Sequence, residues 1–433
     1  MTYQFNTLVE GVTNVDELKE RIGHYENLKF KEDEYHIIVY SDSNLRTECD
    51  IDNSFKSVII DKETLVPITT QFDKLIYNDE AVKYLSDKDW TNVTIKYCYE
   101  GTMIIVFYSH EKWYVCTRKC LDASKSFWIK DHSYYELFMD AINGKFTLDE
   151  LDKNYYYSFV LVHHKNKNII DYSRLGKEYK NVVMALVTEK TTFNVINDHR
   201  IGDKIIYPMS FKFNNVGDVL KELADISDGD KETTQISTEG FIIEHRGNNK
   251  LTLLKLQTDI YKYIAESKPN VSNLDAMFLE LYQKDKLREF IPFFTDNCGI
   301  VVMRINRAMR TMSTEILNLY HNTRSHKNEA LYEALPGCYK TALYCIHGEY
   351  IQKRTKEVEK PVVENAMMNK KTITVNDVYM CLKKLDGNVL RNMFAERIEM
   401  VHNVVFSELL NCGCFDSLLQ GRLMNSKKIE KLI

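Results

Sequence analysis

The sequence predicts an α+β protein in which a β-rich region is followed by an all-helical one. Three observations carry this. Between about residues 51 and 262, runs of β-branched and aromatic residues recur between turn signals, the strongest being Tyr155–His163. After Lys268-Pro269-Asn270 the apolar residues change to helical spacing, across 273–290, 300–320 and 328–353. The 433 residues are 44% hydrophobic and 27% charged, a profile that supports packed cores and excludes dominant disorder. The expected division is an N-terminal extension over 1–50 packed on a β-rich domain over 51–268, then a helical domain over 269–433.

The elements follow in order. Asn14–Arg21 reads as a short helix and Tyr35–Tyr40 as a strand. Val58–Asp61 and Leu65–Ile68 flank a turn. Strands are expected at 93–99, 103–108 and 113–117, with a hairpin turn at His110-Glu111. Ser133–Ile142 reads as a helix, and strands return at 155–163, 181–187, 241–244 and 251–256, the last two joined by a turn over His245–Lys250. Ser227–Lys231, rich in Ser, Asp and Gly, reads as an exposed loop. In the helical region Pro336 is expected to break the 328–353 segment. Helices then continue through 377–384 and 389–410.

Composition narrows function. The formal net charge is -5, so nucleic-acid contact requires a local basic patch rather than a global field. There is no run of 18 apolar residues, which argues against a membrane span, and Met1–Gly11 lacks the pattern of a secretion signal. Ten scattered cysteines fit a reducing compartment. Neither Cys116/Cys120 nor Cys412/Cys414 has a second pair at zinc-ligand spacing. The abundance of Lys, Asn and Ile suggests an AT-rich coding genome.

Five segments in order bear on chemistry: Ser57–Asp61; Phe72–Asn78; Tyr99-Glu100-Gly101-Thr102 with the hairpin ending at Lys119; Ser158–His163; and Thr238–Ile243 with Leu254–Thr258. Taken together they resemble the ATP-dependent RNA ligases of the covalent nucleotidyltransferase superfamily, in particular the phage-type RNA ligase 1 group and its relatives in large DNA viruses. The resemblance implies an adenylation-type nucleotidyltransferase fold for the β-rich domain, with ATP and Mg²⁺ used if the protein is active. It implies nucleotide contacts at Lys74, Cys98, Glu100, Gly101, Phe159 and Lys119, and catalytic places at Glu239 and Lys255, with Glu239 also a metal ligand. It implies RNA or another nucleic acid as partner, viral proteins as further partners, and a place in host cytoplasm, viral factory or virion. It also implies one cleft that joins the strand ending at Glu100 to the hairpin built from Phe241 and Leu256.

Three departures stand out. The family's nucleophilic lysine opens a Lys-x-Asp/Glu-Gly motif, and here the tetrapeptide is Cys98-Tyr99-Glu100-Gly101. The acidic residue expected after Phe159 is Val160, and one lysine of the last motif is Gln257. Strand alternation puts Lys96 on the same face as Cys98, roughly 7 Å upstream. Lys96 is therefore the substitute nucleophile that the sequence offers, although in-line attack tolerates little misplacement. The expectation is a degenerate ligase-like protein that binds RNA or nucleotide, or serves in a virion. The alternatives are an active ligase forming a lysyl-AMP through Lys96, and a protein-interaction scaffold. In the helical domain Arg304, Arg307 and Arg310 make a basic stripe, followed by Arg324, with Tyr320, Tyr332, Tyr339 and Tyr344 interleaved as candidate stacking platforms. Arg118 is a further phosphate-binding candidate.

Overall fold

The structure, a computed structural model, describes residues 4–410 apart from 44, 72, 130, 167–168, 171, 197–198, 248–249, 270–272, 296 and 359–371. Phe72, Asn248 and Asn249 of the expected 245–250 turn, and Cys412/Cys414 lie outside the described residues. The chain forms two compact units, Met1–Glu266 and Ser267–Ile433.

The first unit is built on three sheets. Strands β1 (Leu28–Glu32), β2 (His36–Ser41), β3 (Val58–Asp61) and β4 (Pro67–Thr70) form an antiparallel meander. Position 50 lies between β2 and β3, so the segment expected as an extension supplies two of the four strands of this sheet. The chain then runs through β5 (Ile76–Tyr77), β6 (Val93–Cys98), β7 (Thr102–Ser109), β8 (Lys112–Thr117), β9 (Phe127–Ile129), β10 (His132–Ser133), β11 (Tyr155–His163) and β12 (Lys180–Glu189). It continues with β13 (Ser210–Phe211), β14 (Gly240–Gly247) and β15 (Lys250–Gln257). The second sheet has the order β12-β11-β7-β8 and the third β13-β6-β14-β15-β5. Strands β9 and β10 pair separately.

The second sheet is buried on both faces, which explains the unbroken apolar run in β7. Ile105 and Phe107 pack under the first sheet, whereas Ile104 and Val106 pack with Leu137 and Phe138 of the helix Tyr134–Ile142. Ser133 caps that helix in a capping box with Glu136. The β7–β8 turn places His110 and Glu111 at φ 42° and 61°, the left-handed pair of a two-residue hairpin turn. From this turn His110 Nε2 contacts Asp61 Oδ2 at 2.8 Å, which fastens the second sheet to the first.

One face of the third sheet buries Ile95, Phe241, Ile243, Leu254 and Leu256 against the helices Asn78–Leu85 and Val216–Thr233. The second of these helices corrects the expected loop at Ser227–Lys231. Val219, Leu223, Ser227 and Asp230 are buried at helical spacing. The two polar members have partners, since Ser227 Oγ accepts from the Ile260 N–H at 3.2 Å and Asp230 from the Ser237 N–H at 3.1 Å.

The second unit is helical. The helices Leu274–Gln283 and Leu287–Phe290 are separated at Asp285, whose φ is 58°. The helix Cys298–Tyr320 packs against Val375–Lys384, and Gly337–Val358 against Gly387–His402. A break at Pro336 separates Glu329–Ala334 from Gly337–Val358.

Candidate functional site

Strand pairing sets the floor of a cleft in the first unit. Across the third sheet Ile242 of β14 opposes Lys96 of β6 on one side and Lys255 of β15 on the other. Side chains alternate along a strand, so Lys96, Cys98, Ile242, Glu244, Leu253 and Lys255 share the face opposite the Phe241 core. Phe241 and Leu256, expected to build the cleft, therefore point into that core and leave the cleft to their neighbours. Ser158 and Val160 of β11, with Val183 and Ala185 of β12, form the wall from the second sheet. The cavity is about 380 Å³, within the usual range for a small-molecule site.

Two glycines permit this geometry. A Cβ on Gly101 would lie 2.4 Å from the Leu161 carbonyl oxygen and 2.7 Å from Val160 Cγ1. Gly240 has φ 137°, and a Cβ there would lie 2.1 Å from the Leu256 carbonyl oxygen. Thr238 Oγ1, which donates to the Cys98 carbonyl at 3.2 Å, joins the two strand ends.

At this junction sits a compact polar cluster. Lys255 Nζ donates to Glu239 Oε1 at 2.8 Å, Gln257 Nε2 donates to the same oxygen at 3.0 Å, and the Cys98 thiol donates to Oε2 at 3.3 Å. Burial pushes the Cys98 thiol well above its ordinary range, and Glu239 adds to this against the pull of Lys255. Cys98 is accordingly a neutral thiol, not a thiolate nucleophile. Burial works against the Lys255 ammonium, but the Glu239 carboxylate 2.8 Å away outweighs it and raises the amine above the usual lysine range.

The other expected residues divide sharply. Glu100 lines the cleft, and its Oε2 accepts from the Ile169 and Ile170 N–H groups at 2.6 and 2.9 Å. Arg118 also lines the cleft and donates to the Ser41 carbonyl at 2.8 Å. Lys96 lines it too, but its amine is bound to Glu244 at 2.6 Å. Lys74 does not line the cleft. It is 2% exposed and donates to Asp52 Oδ2 at 3.0 Å and to the Leu45 carbonyl at 2.8 Å. Burial would raise Asp52, but hydrogen bonds from Ser41, Thr47 and Lys74 outweigh it and hold the carboxyl below its ordinary range. Phe159 lies in the apolar core between Phe138 and Phe146, because alternation along β11 sends 157, 159 and 161 to that side. Lys119 is bound to Asp42 at 2.5 Å, over the Tyr40 ring.

In the second unit Arg307 and Arg310 are exposed and Arg304 half-buried on the helix Cys298–Tyr320. Arg324 lies 5.7 Å from the Tyr332 ring centre. Tyr320 and Tyr339 are not stacking platforms. Both are buried, with Tyr320 bonded to His347 at 2.9 Å and Tyr339 to the Met393 carbonyl at 3.1 Å. Tyr344 is 73% exposed.

Motif reasoning missed Lys56, which lines the cleft from the short segment between the helix Asp50–Ser54 and β3. It also missed Tyr261, whose hydroxyl is raised by burial and then by the charges of Glu100 and Glu239. Lys56 lies directly before the quoted Ser57–Asp61 segment, which was the available signal.

No family model and no curated protein matches the sequence. Among solved structures, the chain is similar to a putative ATP-dependent DNA ligase from Aquifex aeolicus, with TM-score 0.40 and 12% identity, over 80% of this chain and 81% of that one. It is also similar to an archaeal ATP-dependent RNA ligase in two forms, with TM-scores 0.39 and 0.37 and 12% identity, each over 71% of this chain and 78% of that one.

Proposed function

We propose that the first unit binds ATP in this cleft, as part of an RNA-ligase-like nucleotidyltransferase that acts on nucleic acid. The observation that carries the reading is the mixed lining of the cavity. Lys56, Lys96, Arg118 and Lys255 supply cationic groups near one another, whereas Val160, Val183, Leu253 and Tyr99 supply apolar and aromatic surface. A flat base with a phosphate chain matches that division. Lys255, fixed by Glu239, would meet the phosphates, and Glu100 is held by backbone amides at the mouth of the motif strand.

Magnesium suits the donor set. It takes oxygen ligands, commonly one or two carboxylates plus substrate phosphates, and Glu239 and Glu244 line the cleft. Glu239 would hold it together with the phosphates, and the ion would offset phosphate charge; Glu244, five residues along the extended strand, stays with Lys96. Neither of the motif-strand candidates suits the covalent step as placed, because Cys98 is a neutral thiol and Lys96 is committed to Glu244. The arginine row of the second unit is proposed as the nucleic-acid contact. Titration with labelled ATP and Mg²⁺ tests the reading. Saturable binding that weakens in Lys255→Met supports it, and absence of binding ends it.

A further inference from the structure

We infer that Lys56 supplies the amine missing from the motif strand, so that this cleft takes AMP from ATP onto Lys56. The inference rests on the ATP-binding reading above and adds a covalent step to it.

The place of Lys56 is fixed from both sides. Phe55 and Ser57 are fully buried, the Phe55 carbonyl accepts from the Ser41 N–H at 2.7 Å, and the Ser57 carbonyl accepts from the Gln71 N–H at 2.8 Å. The side chain between them leaves a doubly tethered backbone and enters the cavity that Cys98, Glu239 and Lys255 line. A group carried on such a backbone can be held to the tolerance that in-line attack demands.

The second observation is its lack of partners. Lys96 is bound to Glu244, Lys255 to Glu239 and Arg118 to the Ser41 carbonyl. Among the described residues, Lys56 has no hydrogen bond or ion pair. Desolvation beside other cations is a common means of activating a lysine, and here it outweighs the opposing charge of Glu239. Burial, followed by the like charges of Lys255 and Arg118, lowers its pKa from 10.5 to about 8. Roughly a tenth of the amine is then neutral at pH 7, against about one part in three thousand for an ordinary lysine.

The step balances. The Nζ lone pair attacks the α-phosphorus, and a P–N bond forms as the P–O bond to the β-phosphate breaks. Pyrophosphate leaves with that bond's electron pair, and the nitrogen releases its proton to solvent. The product is a phosphoramidate of AMP on Lys56. The chain does with an amine from the segment leading into β3 what the family's motif does with one from β6. The substitution at Cys98 would have moved the nucleophile rather than removed it.

The test uses the full chain. Incubation with α-labelled ATP and Mg²⁺, denaturation, digestion and mass spectrometry should place one AMP on the peptide that contains Lys56. Adduct formation should rise with pH and level off above about 8. Lys56→Arg, which keeps the charge but cannot act as an amine nucleophile, should lose label by ~100-fold or more with the fold intact by circular dichroism. Independently of turnover, competitive labelling with an amine-reactive reagent should report a Lys56 pKa near 8, and ATP should protect it. An adduct mapped to Lys96 or Cys98, or ATP binding without any adduct, overturns this inference and leaves the binding reading standing. Absence of ATP binding overturns both.

Discussion

Two acid–base pairs in this protein look alike and do different work. In the helical unit Arg397 and Glu315 are fully enclosed, with Arg397 Nε donating to Glu315 Oε2 at 2.7 Å and a second guanidinium bond to Oε1. In the first unit Glu239 is also buried and Lys255 half-buried, but they border a cavity, and Glu239 is shared with Gln257 and Cys98. Arginine's planar fork suits a permanent bidentate link, whereas a lysine ammonium is a point charge that can turn to a new anion. Enclosure makes one pair a structural fastening. A cavity at its side makes the other available to a phosphate.

The largest expected effect tests the structural side. Arg397→Ala strands Glu315 in an apolar core and should destabilise the helical unit by about 3–5 kcal/mol, read by urea unfolding. If Glu239→Gln destabilises its own unit as much, the contrast fails. Next, Gly240→Ala should cost about 1–3 kcal/mol, because its φ of 137° and its 2.1 Å approach to the Leu256 carbonyl exclude a Cβ. ATP affinity should fall with it, since Glu239 is adjacent.

A smaller effect concerns pH. The folded state lowers the pKa of Lys56 from 10.5 to about 8, so between those values the unfolded chain holds the extra proton. Stability from this group therefore rises with pH through that window, and the full penalty is present below about 8. Lys56→Met should be more stable than the parent at pH 7 by about 1–2 kcal/mol, with the gap closing towards pH 10.5. A gap independent of pH would mean that the amine is not desolvated. Smallest is the salt response. If the exposed arginines track a single strand, Arg307→Ala and Arg310→Ala should each lower the slope of log affinity against log salt by about 0.7. An unchanged slope would remove the helical unit from nucleic-acid contact.

What the sequence revealed follows from what each pattern encodes. Strand composition is local, so β11 was legible from the aromatic and β-branched residues between Tyr155 and His163, and Pro336 was legible as a helix break. The helix through Ser227 and Asp230 was not, because its inward polar residues are satisfied by Ile260 and Ser237, which no local pattern reveals. The same holds in the site. Cys98, Glu100, Glu239 and Lys255, read from motif order, all line one cavity. Lys74 and Phe159 were read by motif position alone, and their tertiary partners Asp52 and Phe146 decide otherwise. Lys56 carries no motif, and its character comes from burial beside Lys255 and Arg118.

The most direct measurement of the central claim is calorimetric titration of ATP with Mg²⁺ into the full chain and into Lys255→Met. The account predicts one saturable site in the parent and at least a tenfold weaker one in the variant, about 1.4 kcal/mol, with the fold intact by circular dichroism. Equal affinity in both proteins, or heat from neither, would contradict it.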